Sequence, residues 1–205
     1  MTDRMPPIPP ITQALILANV LLFFVDELMG RTLSMWMALW PLESPYFLPW
    51  QVLSYAFMHG SIGHLLFNML GLWMFGSELE RVWDNRRYLQ FLGACVLTAA
   101  VAQLLMSQMG GWMSPTVGAS GGLFGLLLAF GMLFPNRIIM PLFPPIPMKA
   151  KYFVAIFGAL ELLFGVTGSM SGVAHFAHLG GMLGGWLMIR YWRGQPPFPP
   201  HGRRR

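Results

Sequence analysis

Ser120 is the residue of this sequence best placed to act as a nucleophile. It lies in Gly118-Ala119-Ser120-Gly121-Gly122, at the start of an apolar segment predicted to be helical. A serine at a helix N-terminus lies among backbone N–H groups without acceptors, at the positive end of the helix dipole. These surroundings suit a nucleophile whose attack creates an oxyanion. Serine is also a common helix cap and a small packing residue, so this stretch alone leaves both interpretations open.

Polar side chains elsewhere in the chain could act together with this serine. His64 and Asn68 are four residues apart, and His175 and His178 are three apart, so each pair shares a helical face. His59 lies shortly before the first pair. Histidine is the usual base for a serine nucleophile. These residues are therefore candidates for one site, provided that the fold brings their segments together.

The composition is that of a membrane protein. Of the 205 residues, 55% are hydrophobic and only 10% are charged, and the mean hydropathy is +0.55. The formal net charge of +5 comes from basic residues at segment ends, which is not the distribution of a nucleic-acid-binding protein. The single cysteine, Cys95, lies in an apolar run, which excludes a disulfide framework and a thiolate metal site.

Six apolar segments have the length that a bilayer requires and are predicted to be membrane helices. They are residues 11–29, 62–79, 88–109, 120–134, 152–168 and 172–191. Residues 30–60 form a first connector rich in Trp and Tyr, which is typical of a segment in the membrane interface. The predicted fold is an all-α membrane protein, a six-helix transmembrane bundle. One domain at 11–193 is expected between a Pro-rich tail at 1–10 and a basic tail at 194–205.

The basic residues determine the predicted orientation. If the N-terminus is cytoplasmic, every Lys and Arg except Arg31 lies in a cytoplasmic tail or loop. This positive-inside pattern predicts that both termini are cytoplasmic. With a rise of about 1.5 Å per residue, Ser120, His178, His64 and Asn68 all reach the outer half of a bilayer about 30 Å thick. The irregular backbone before Ser120 must then dip into the membrane, which is tolerated where it lines protein or a water-filled cavity.

Glycines are predicted to bring Ser120 and His178 together. Glycines at four-residue spacing follow both residues, and this spacing lets two membrane helices approach closely. The fourth and sixth helices can therefore bring the two side chains within hydrogen-bonding distance, as a nucleophile and its base require. No carboxylate is expected at this depth, because Glu161 lies in the middle of the fifth segment. The sequence thus predicts a Ser–His dyad and not a triad.

Three motifs together resemble the rhomboid family of intramembrane serine proteases. They are His64-Leu65-Leu66-Phe67-Asn68, Gly118-Ala119-Ser120-Gly121 and His178-Leu179-Gly180-Gly181. The corresponding family patterns are H-x-x-x-N on the second helix, G-x-S-G on the fourth, and a histidine before small residues on the sixth. Their order and spacing and the six-helix topology agree over roughly residues 11–193. The predicted fold is accordingly a bundle of rhomboid type.

The resemblance implies a role for each motif residue. Ser120 would be the nucleophile and His178 its base, while His64, Asn68 and the backbone N–H of Ser120 would form the oxyanion hole. The substrates would be single-pass transmembrane proteins, cut near the outer face at small residues beside helix-weakening ones. The partners expected are these substrates and the lipid bilayer, with no nucleic acid, metal or cofactor. We expect an integral protein of the plasma (inner) membrane of a prokaryote.

Further residues are expected to support the site. Gly118 and Gly121 allow another backbone or a substrate to come close to the serine. Phe124 stands where Tyr is common in the family, and it can still stack on an imidazole. His59 and His175 are expected to be structural residues that bond to backbone near the site.

Two alternatives remain open at this stage. The first is a rhomboid-like protein that binds membrane clients without cutting them. The second is a metal site or metal transporter lined by histidines, namely His59, His64, His175 and His178. The sequence lacks HExxH, and no carboxylate is expected at the level of these histidines. A separate departure from the family is Trp50-Gln51, where many members carry Trp-Arg, and it is expected to affect the stability of the first connector.

Overall fold

The computed structural model describes residues 7–142, 144–169 and 173–198, and these residues form mainly helices. The helices are α1 Pro10–Leu28, α2 Thr32–Met37, α3 Gln51–Ser54, α4 Ile62–Gly71, α5 Ser77–Val82, α6 Asn85–Gly110, α7 Ser120–Leu133, α8 Ala150–Thr167 and α9 His175–Trp192. A 3₁₀ turn at Tyr55–Phe57 follows α3, and a π-helical turn at Leu72–Gly76 joins α4 to α5. Ile138–Ile139 and Met148–Lys149 pair as a short antiparallel ladder, β1–β2.

The predicted membrane segments correspond to helices whose ends lie within about three residues of the predicted ones. Within the described ranges, α1, α6 and α8 are long and apolar enough to cross a membrane, and α7 is a shorter apolar helix. An all-helical membrane fold therefore agrees with the structure, whereas the count of six spans stays a prediction. Parts of the predicted tails at 1–10 and 194–205, and the predicted start of the sixth segment at 172, lie outside the described residues.

Structure inside two of the connectors was not predicted. The first connector contains α2, α3 and the 3₁₀ turn, and the loop between α7 and α8 contains the β1–β2 ladder. Elements this short provide too few residues for a periodic hydrophobic pattern, so no pattern in the sequence indicates them.

Helix α9 lies between α6 and α7 and contacts both through glycines. A Cβ on Gly180 or Gly184 would overlap Thr98 and its neighbours in α6, whereas a Cβ on Gly181 would overlap the carbonyl oxygen of Gly121 in α7. Gly180 and Gly184 thus face α6, whereas Gly181 faces α7. α7 and α9 therefore pack backbone to backbone at Gly121 and Gly181, whereas the glycines of α9 that face α6 make room for the side chains of Thr98 and Ala102.

The first connector is organised by the buried side chain of Gln51. Its Oε1 accepts from the backbone N–H groups of Trp40 (3.3 Å) and Leu48 (3.1 Å). Its Nε2 donates to the carbonyl oxygens of Trp36 (3.2 Å) and Tyr46 (2.9 Å). Because all four bonds are made by one side chain, this departure from the common Trp-Arg pattern leaves the connector internally bonded.

The irregular segment between α6 and α7 is bonded to this connector. The backbone of Thr116 pairs with Leu39 through two N–H···O bonds of 2.9 Å, and the N–H of Gly118 donates to the carbonyl of Tyr55 at 3.0 Å. A non-helical backbone inside a membrane needs such partners, since lipid offers none. The connector therefore supports the chain immediately before Ser120.

Candidate active site

Ser120 and His178 are in contact although they are far apart in the sequence. Nε2 of His178 lies 2.8 Å from Oγ of Ser120, and the two residues are 58 positions apart. Ser120 is the first residue of α7, and Ala119 is the N-cap. The interpretation of Ser120 as a helix cap is therefore wrong, because its hydroxyl bonds to a histidine of α9 instead. Its backbone N–H has no acceptor within the helix.

The ring of Phe124 packs against the face of the His178 ring. The two rings are stacked, with centroids 4.2 Å apart and an interplanar angle of 7°. Phe124 lies one helical turn after Ser120 on α7, so the same helix presents the serine and the ring on which the histidine rests. This is the stacking expected from the sequence, and it restricts rotation of the imidazole.

Gly118 makes room for His64 beside the serine. Its φ angle is +125°, a backbone conformation that side chains rarely allow. A Cβ at this position would lie 2.7 Å from both Cε1 and Nε2 of His64 and 3.6 Å from Oγ of Ser120. Glycine is therefore required here for two separate reasons, and the His64 ring lies directly against the turn that precedes Ser120.

His64, Asn68, Ser120 and His178 line one cavity of about 1720 Å³. Asn68 is buried, and one N–H of its amide donates to the carbonyl of His64 at 2.9 Å. The amide carries a second N–H, which is available for a ligand in the cavity. The four predicted residues are thus brought together in a single space.

The cavity continues as a cleft between α4 and its π-helical turn on one side and α8 on the other. Its walls include Phe67, Gly71 and Phe75 on the first side and Phe153 and Phe157 on the second. We call this opening the lateral cleft. Trp73, in the π-helical turn, is 40% exposed and is not among the described residues that line the cleft.

The structure contradicts the expectation that no carboxylate lies near His178. Oε2 of Glu161 lies 2.9 Å from Nδ1 of His178 and 2.7 Å from Nδ1 of His175. The contact with His175 has the geometry of a hydrogen bond. The contact with His178 is slightly longer and is a charge contact only, since within the described part of the chain Nδ1 of His178 has no hydrogen-bond partner.

A depth comparison could have found Glu161 in the sequence. Counting from the helix ends predicted to be cytoplasmic, Ala150 to Glu161 spans about 16 Å and Arg190 to His178 spans about 18 Å at about 1.5 Å per residue. The carboxylate and the base therefore lie at nearly the same level. An ionisable side chain within an apolar helix also requires a partner inside the protein.

The predicted supporting histidines have different surroundings. His175 is buried, and its ring contacts Glu161 through Nδ1 and the carbonyl of Ser169 through Nε2 at 3.2 Å. His59 is also buried, its ring lies 5.0 Å from that of His64, and its carbonyl oxygen accepts from Arg31 at 2.7 Å. Neither ring nitrogen of His59 has a hydrogen-bond partner of good geometry among the described residues, although the backbone of Phe57 is close enough to oppose the lowering of the ring's pKa by burial.

The cluster of Glu161, His175 and His178 also corrects the predicted metal alternative. Their potential ligand atoms lie within 4.8 Å of one another, so the possible ligand set includes a carboxylate and two of the four predicted histidines. Ligands of a tetrahedral zinc ion lie about 3.3 Å apart, since each is about 2.0–2.2 Å from the metal. The observed contacts of 2.7 and 2.9 Å fit direct hydrogen bonding and electrostatic contact better than a shared metal.

Comparison with known proteins assigns the family. The family model described as Rhomboid domain matches residues 47–194, a range that includes all of these site residues. The chain belongs to the rhomboid family. This membership and the apolar helices together identify an integral membrane protein.

Similar proteins include two bacterial rhomboid proteases and a plant protein. Rhomboid protease GluP of Bacillus subtilis (strain 168) is 27% identical over 186 residues, which cover 87% of this chain and 34% of that protein. RHOMBOID-like protein 4 of Arabidopsis thaliana is 34% identical over 139 residues, covering 68% of this chain and 33% of the relative. Rhomboid protease GlpG of Klebsiella pneumoniae is 31% identical over 123 residues, or 58% and 41% of the two chains. The chain thus spans about a third to two fifths of these relatives.

Proposed function

We propose that this rhomboid protein is an intramembrane serine endopeptidase that cuts transmembrane segments of membrane proteins. The observation that carries the proposal is the 2.8 Å contact between Oγ of Ser120 and Nε2 of His178 at the wall of a large cavity. A nucleophile and a base in direct contact, open to a cavity that a substrate can occupy, are what acyl transfer requires.

The reaction begins with transfer of the serine proton. Nε2 of His178 accepts the proton from Oγ of Ser120 as Oγ attacks the carbonyl carbon of the scissile peptide bond. The developing oxyanion is stabilised by the backbone N–H of Ser120 and by donors from His64 and Asn68. His178 then delivers its proton to the leaving amine, and the acyl-enzyme forms. Hydrolysis repeats these steps with water as the nucleophile and His178 as the base.

Six membrane spans and cytoplasmic termini place this chemistry in the outer half of the bilayer. α4, the π-helical turn and α5 act as one span, and α1, α6, α7, α8 and α9 act as the others. The lateral cleft gives a single-pass substrate a route from the lipid to Ser120. Because a helical backbone is bonded internally, the substrate must unwind before its carbonyl reaches the serine, which favours helix-weakening residues near the cleavage point.

The proposal is tested by labelling and cleavage on purified protein in lipid. Wild-type protein should react with a fluorophosphonate probe and cut a transmembrane reporter, whereas Ser120→Ala and His178→Ala should abolish both activities while keeping the fold. Labelling that persists in the Ser120→Ala variant would assign the nucleophile to another residue.

The same assay separates the two alternatives. If wild-type protein binds a reporter but neither cuts it nor reacts with the probe, the protein is a client-binding rhomboid protein without catalysis. If chelators stop cleavage and the Ser120→Ala variant still cuts, the cluster of Glu161, His175 and His178 is a metal centre, since its possible ligand atoms lie within 4.8 Å of one another.

A further inference from the structure

We propose that Glu161 is a positioning residue that keeps His178 in the tautomer able to accept the serine proton. The inference rests on the proposed function and extends the site from two residues to a connected group of four. Glu161 belongs to α8, His175 and His178 to α9, and Ser120 to α7. A single carboxylate oxygen, Oε2, contacts the Nδ1 atoms of both histidines.

The contacts of His175 determine where its protons lie. Its Nε2 lies 3.2 Å from the carbonyl oxygen of Ser169. A carbonyl oxygen only accepts, so Nε2 of His175 must carry a hydrogen. Nδ1 of the same ring contacts Oε2 of Glu161 at 2.7 Å. When Glu161 is ionised, it accepts from this nitrogen too, and His175 is then an imidazolium paired with the carboxylate.

Catalysis needs one particular tautomer of His178, and the contacts of this ring favour it. For Ser120 to donate its proton, Nε2 of His178 must be free of hydrogen. A neutral imidazole then carries its hydrogen on Nδ1. That atom lies 2.9 Å from Oε2 of Glu161. Although this contact is not an aligned hydrogen bond, a carboxylate oxygen so close to Nδ1 favours a hydrogen on that atom, which is the productive tautomer. The opposite tautomer would direct a hydrogen at Oγ of Ser120.

The charges of the group support the same assignment. Glu161 is mostly buried, with 13% of its side chain exposed, so an isolated carboxylate would be costly. His175 as an imidazolium neutralises it in the resting enzyme and leaves His178 uncharged. During attack, His178 becomes an imidazolium beside the same carboxylate, and the new positive charge is stabilised where it forms. His175 thus balances the charge of Glu161 before the reaction.

Glu161→Gln is the informative variant because the glutamine amide places either its oxygen or its nitrogen at the position of Oε2. If its oxygen lies there, the imidazolium of His175 loses its counter-charge. If its nitrogen lies there, it donates to Nδ1 of His178 and moves the hydrogen of that ring to Nε2. The first arrangement also removes the charge that stabilises the imidazolium of His178 during attack, and the second disfavours the productive tautomer. Neither removes Ser120, His178 or a residue of the lateral cleft.

The expected result is a lower kcat with an almost unchanged KM. We expect kcat to fall about 10- to 100-fold in Glu161→Gln, the range typical of residues that orient a reactive group. The rate of fluorophosphonate labelling should fall by a similar factor, since it depends on the same proton transfer. Glu78→Gln is the matched control, because Glu78 is also ion-paired, with Arg81 and Arg137, but is half-exposed and belongs to α5.

Histidine ¹⁵N NMR reads the tautomer directly and does not depend on activity. In wild-type protein, the His178 signal, identified by its loss in His178→Ala, should show hydrogen on Nδ1 and a bare Nε2. Glu161→Gln should shift it towards the opposite tautomer. Since the wild-type spectrum is itself a test, the proposal remains falsifiable if the variant does not fold.

Several outcomes would overturn the proposal. These are a wild-type His178 with hydrogen on Nε2, a folded Glu161→Gln variant with both an unchanged tautomer and a kcat within about twofold of wild type, or loss of wild-type cleavage on chelation. Failure of the proposed function has a different signature: the wild-type protein neither cuts nor labels, while the tautomer still responds to Glu161→Gln.

Discussion

The two sides of the candidate active site are built differently. On one side, α6, α7 and α9 meet through glycines, and eight residues of α9 are buried. On the other side, α8 is buried only at Ala150, Phe153 and Val154, and its remaining described residues are at least partly exposed. The lateral cleft separates this helix from α4 and the π-helical turn. We call the first the glycine-packed side and the second the cleft side.

In the proposed function, the glycine-packed side holds the nucleophile in place and the cleft side admits the substrate. α7 and α9 touch through backbone atoms, with no side chain between them that could change rotamer. The main chain therefore fixes the separation of the two helices that carry Ser120 and His178. The cleft side is lined by aromatic and aliphatic side chains, which can change rotamer. A substrate helix can therefore enter on that side without disturbing the catalytic pair. Glu161 is the exception, because it reaches from the cleft side to the histidines.

The largest effect should come from placing a side chain on the glycine-packed side. Gly181→Val would overlap the backbone of Gly121, so the helices must separate and the contact between Ser120 and His178 must break. We expect loss of cleavage and a loss of stability of about 1–3 kcal/mol or more. Gly93→Ala is the control, since a Cβ on this residue of α6 meets nothing within 4 Å. Activity in folded Gly181→Val protein comparable to Gly93→Ala would contradict this account of the packing.

A second large effect should come from removing the hydrogen-bond donors that α4, which borders the lateral cleft, supplies to the site. Asn68→Ala and His64→Ala should each reduce kcat about 10²- to 10³-fold, the usual cost of one oxyanion donor. Folding should be retained, because Asn68 bonds only within its own helix among the described residues. Steady-state cleavage of a reporter measures the effect. If both variants cut at near-normal rates, the oxyanion is stabilised by other groups, such as the N–H groups that begin α7.

A smaller effect in the opposite direction is expected from opening the lateral cleft. Phe153→Ala removes a ring that packs 4.4 Å from Phe157 at the wall of the cleft. If access limits turnover, cleavage of a transmembrane reporter should rise roughly two- to tenfold. Labelling by a small fluorophosphonate should not change, because the probe needs no wide opening. Trp73→Ala provides the comparison and should leave both rates unaltered; an equal rise in both variants would argue against access through this cleft.

The smallest effect concerns His59, which lies in the connector above the site. Burial, and to a lesser extent the neighbouring His64, lowers the pKa of His59 to about 4 from 6.5. The unfolded chain therefore takes up this proton near pH 6.5 and the folded protein only near pH 4. The free energy of unfolding should be unaffected by this residue above pH 6.5 and should decrease as the pH falls towards 4.

His59→Phe tests this assignment because it keeps an aromatic ring and removes the titration. The difference in Tm between pH 7 and pH 5 should be smaller in the variant than in wild-type protein. An identical difference in both proteins would show that His59 is not the group responsible. The catalytic pair is unchanged, so labelling of Ser120 should persist in the variant.

Sequence patterns predicted the helices and the four motif residues because each depends on local information. Helix ends followed from apolar length and flanking charges, and the face shared by His64 and Asn68 followed from a spacing of four. The contact between Ser120 and His178 was predictable because glycines at four-residue spacing restrict how α7 and α9 can meet. The connector was less predictable: the four hydrogen bonds of Gln51 join residues that no periodicity relates.

Glu161 illustrates what local patterns cannot determine. Its depth could be estimated by counting along α8, but its direction around the helix axis and the distance from α8 to α9 could not. Both depend on how α8 packs against α7 and α9, and α8 carries few glycines to restrict that packing. The expectation that no carboxylate lies near His178 was wrong for this reason, although Glu161 was visible in the sequence.

The sequence by itself determined the class of protein, the order of the segments and the identity of the residues that could form a nucleophile and a base. These properties follow from composition, spacing and charge, which are fixed along the chain. Only the tertiary structure decided that Gly180 and Gly184 face α6 while Gly181 faces α7, that the cavity opens between α4 and α8, and that Oε2 of Glu161 contacts two histidines. These contacts depend on the rotation and separation of helices, which are set when many side chains pack at once.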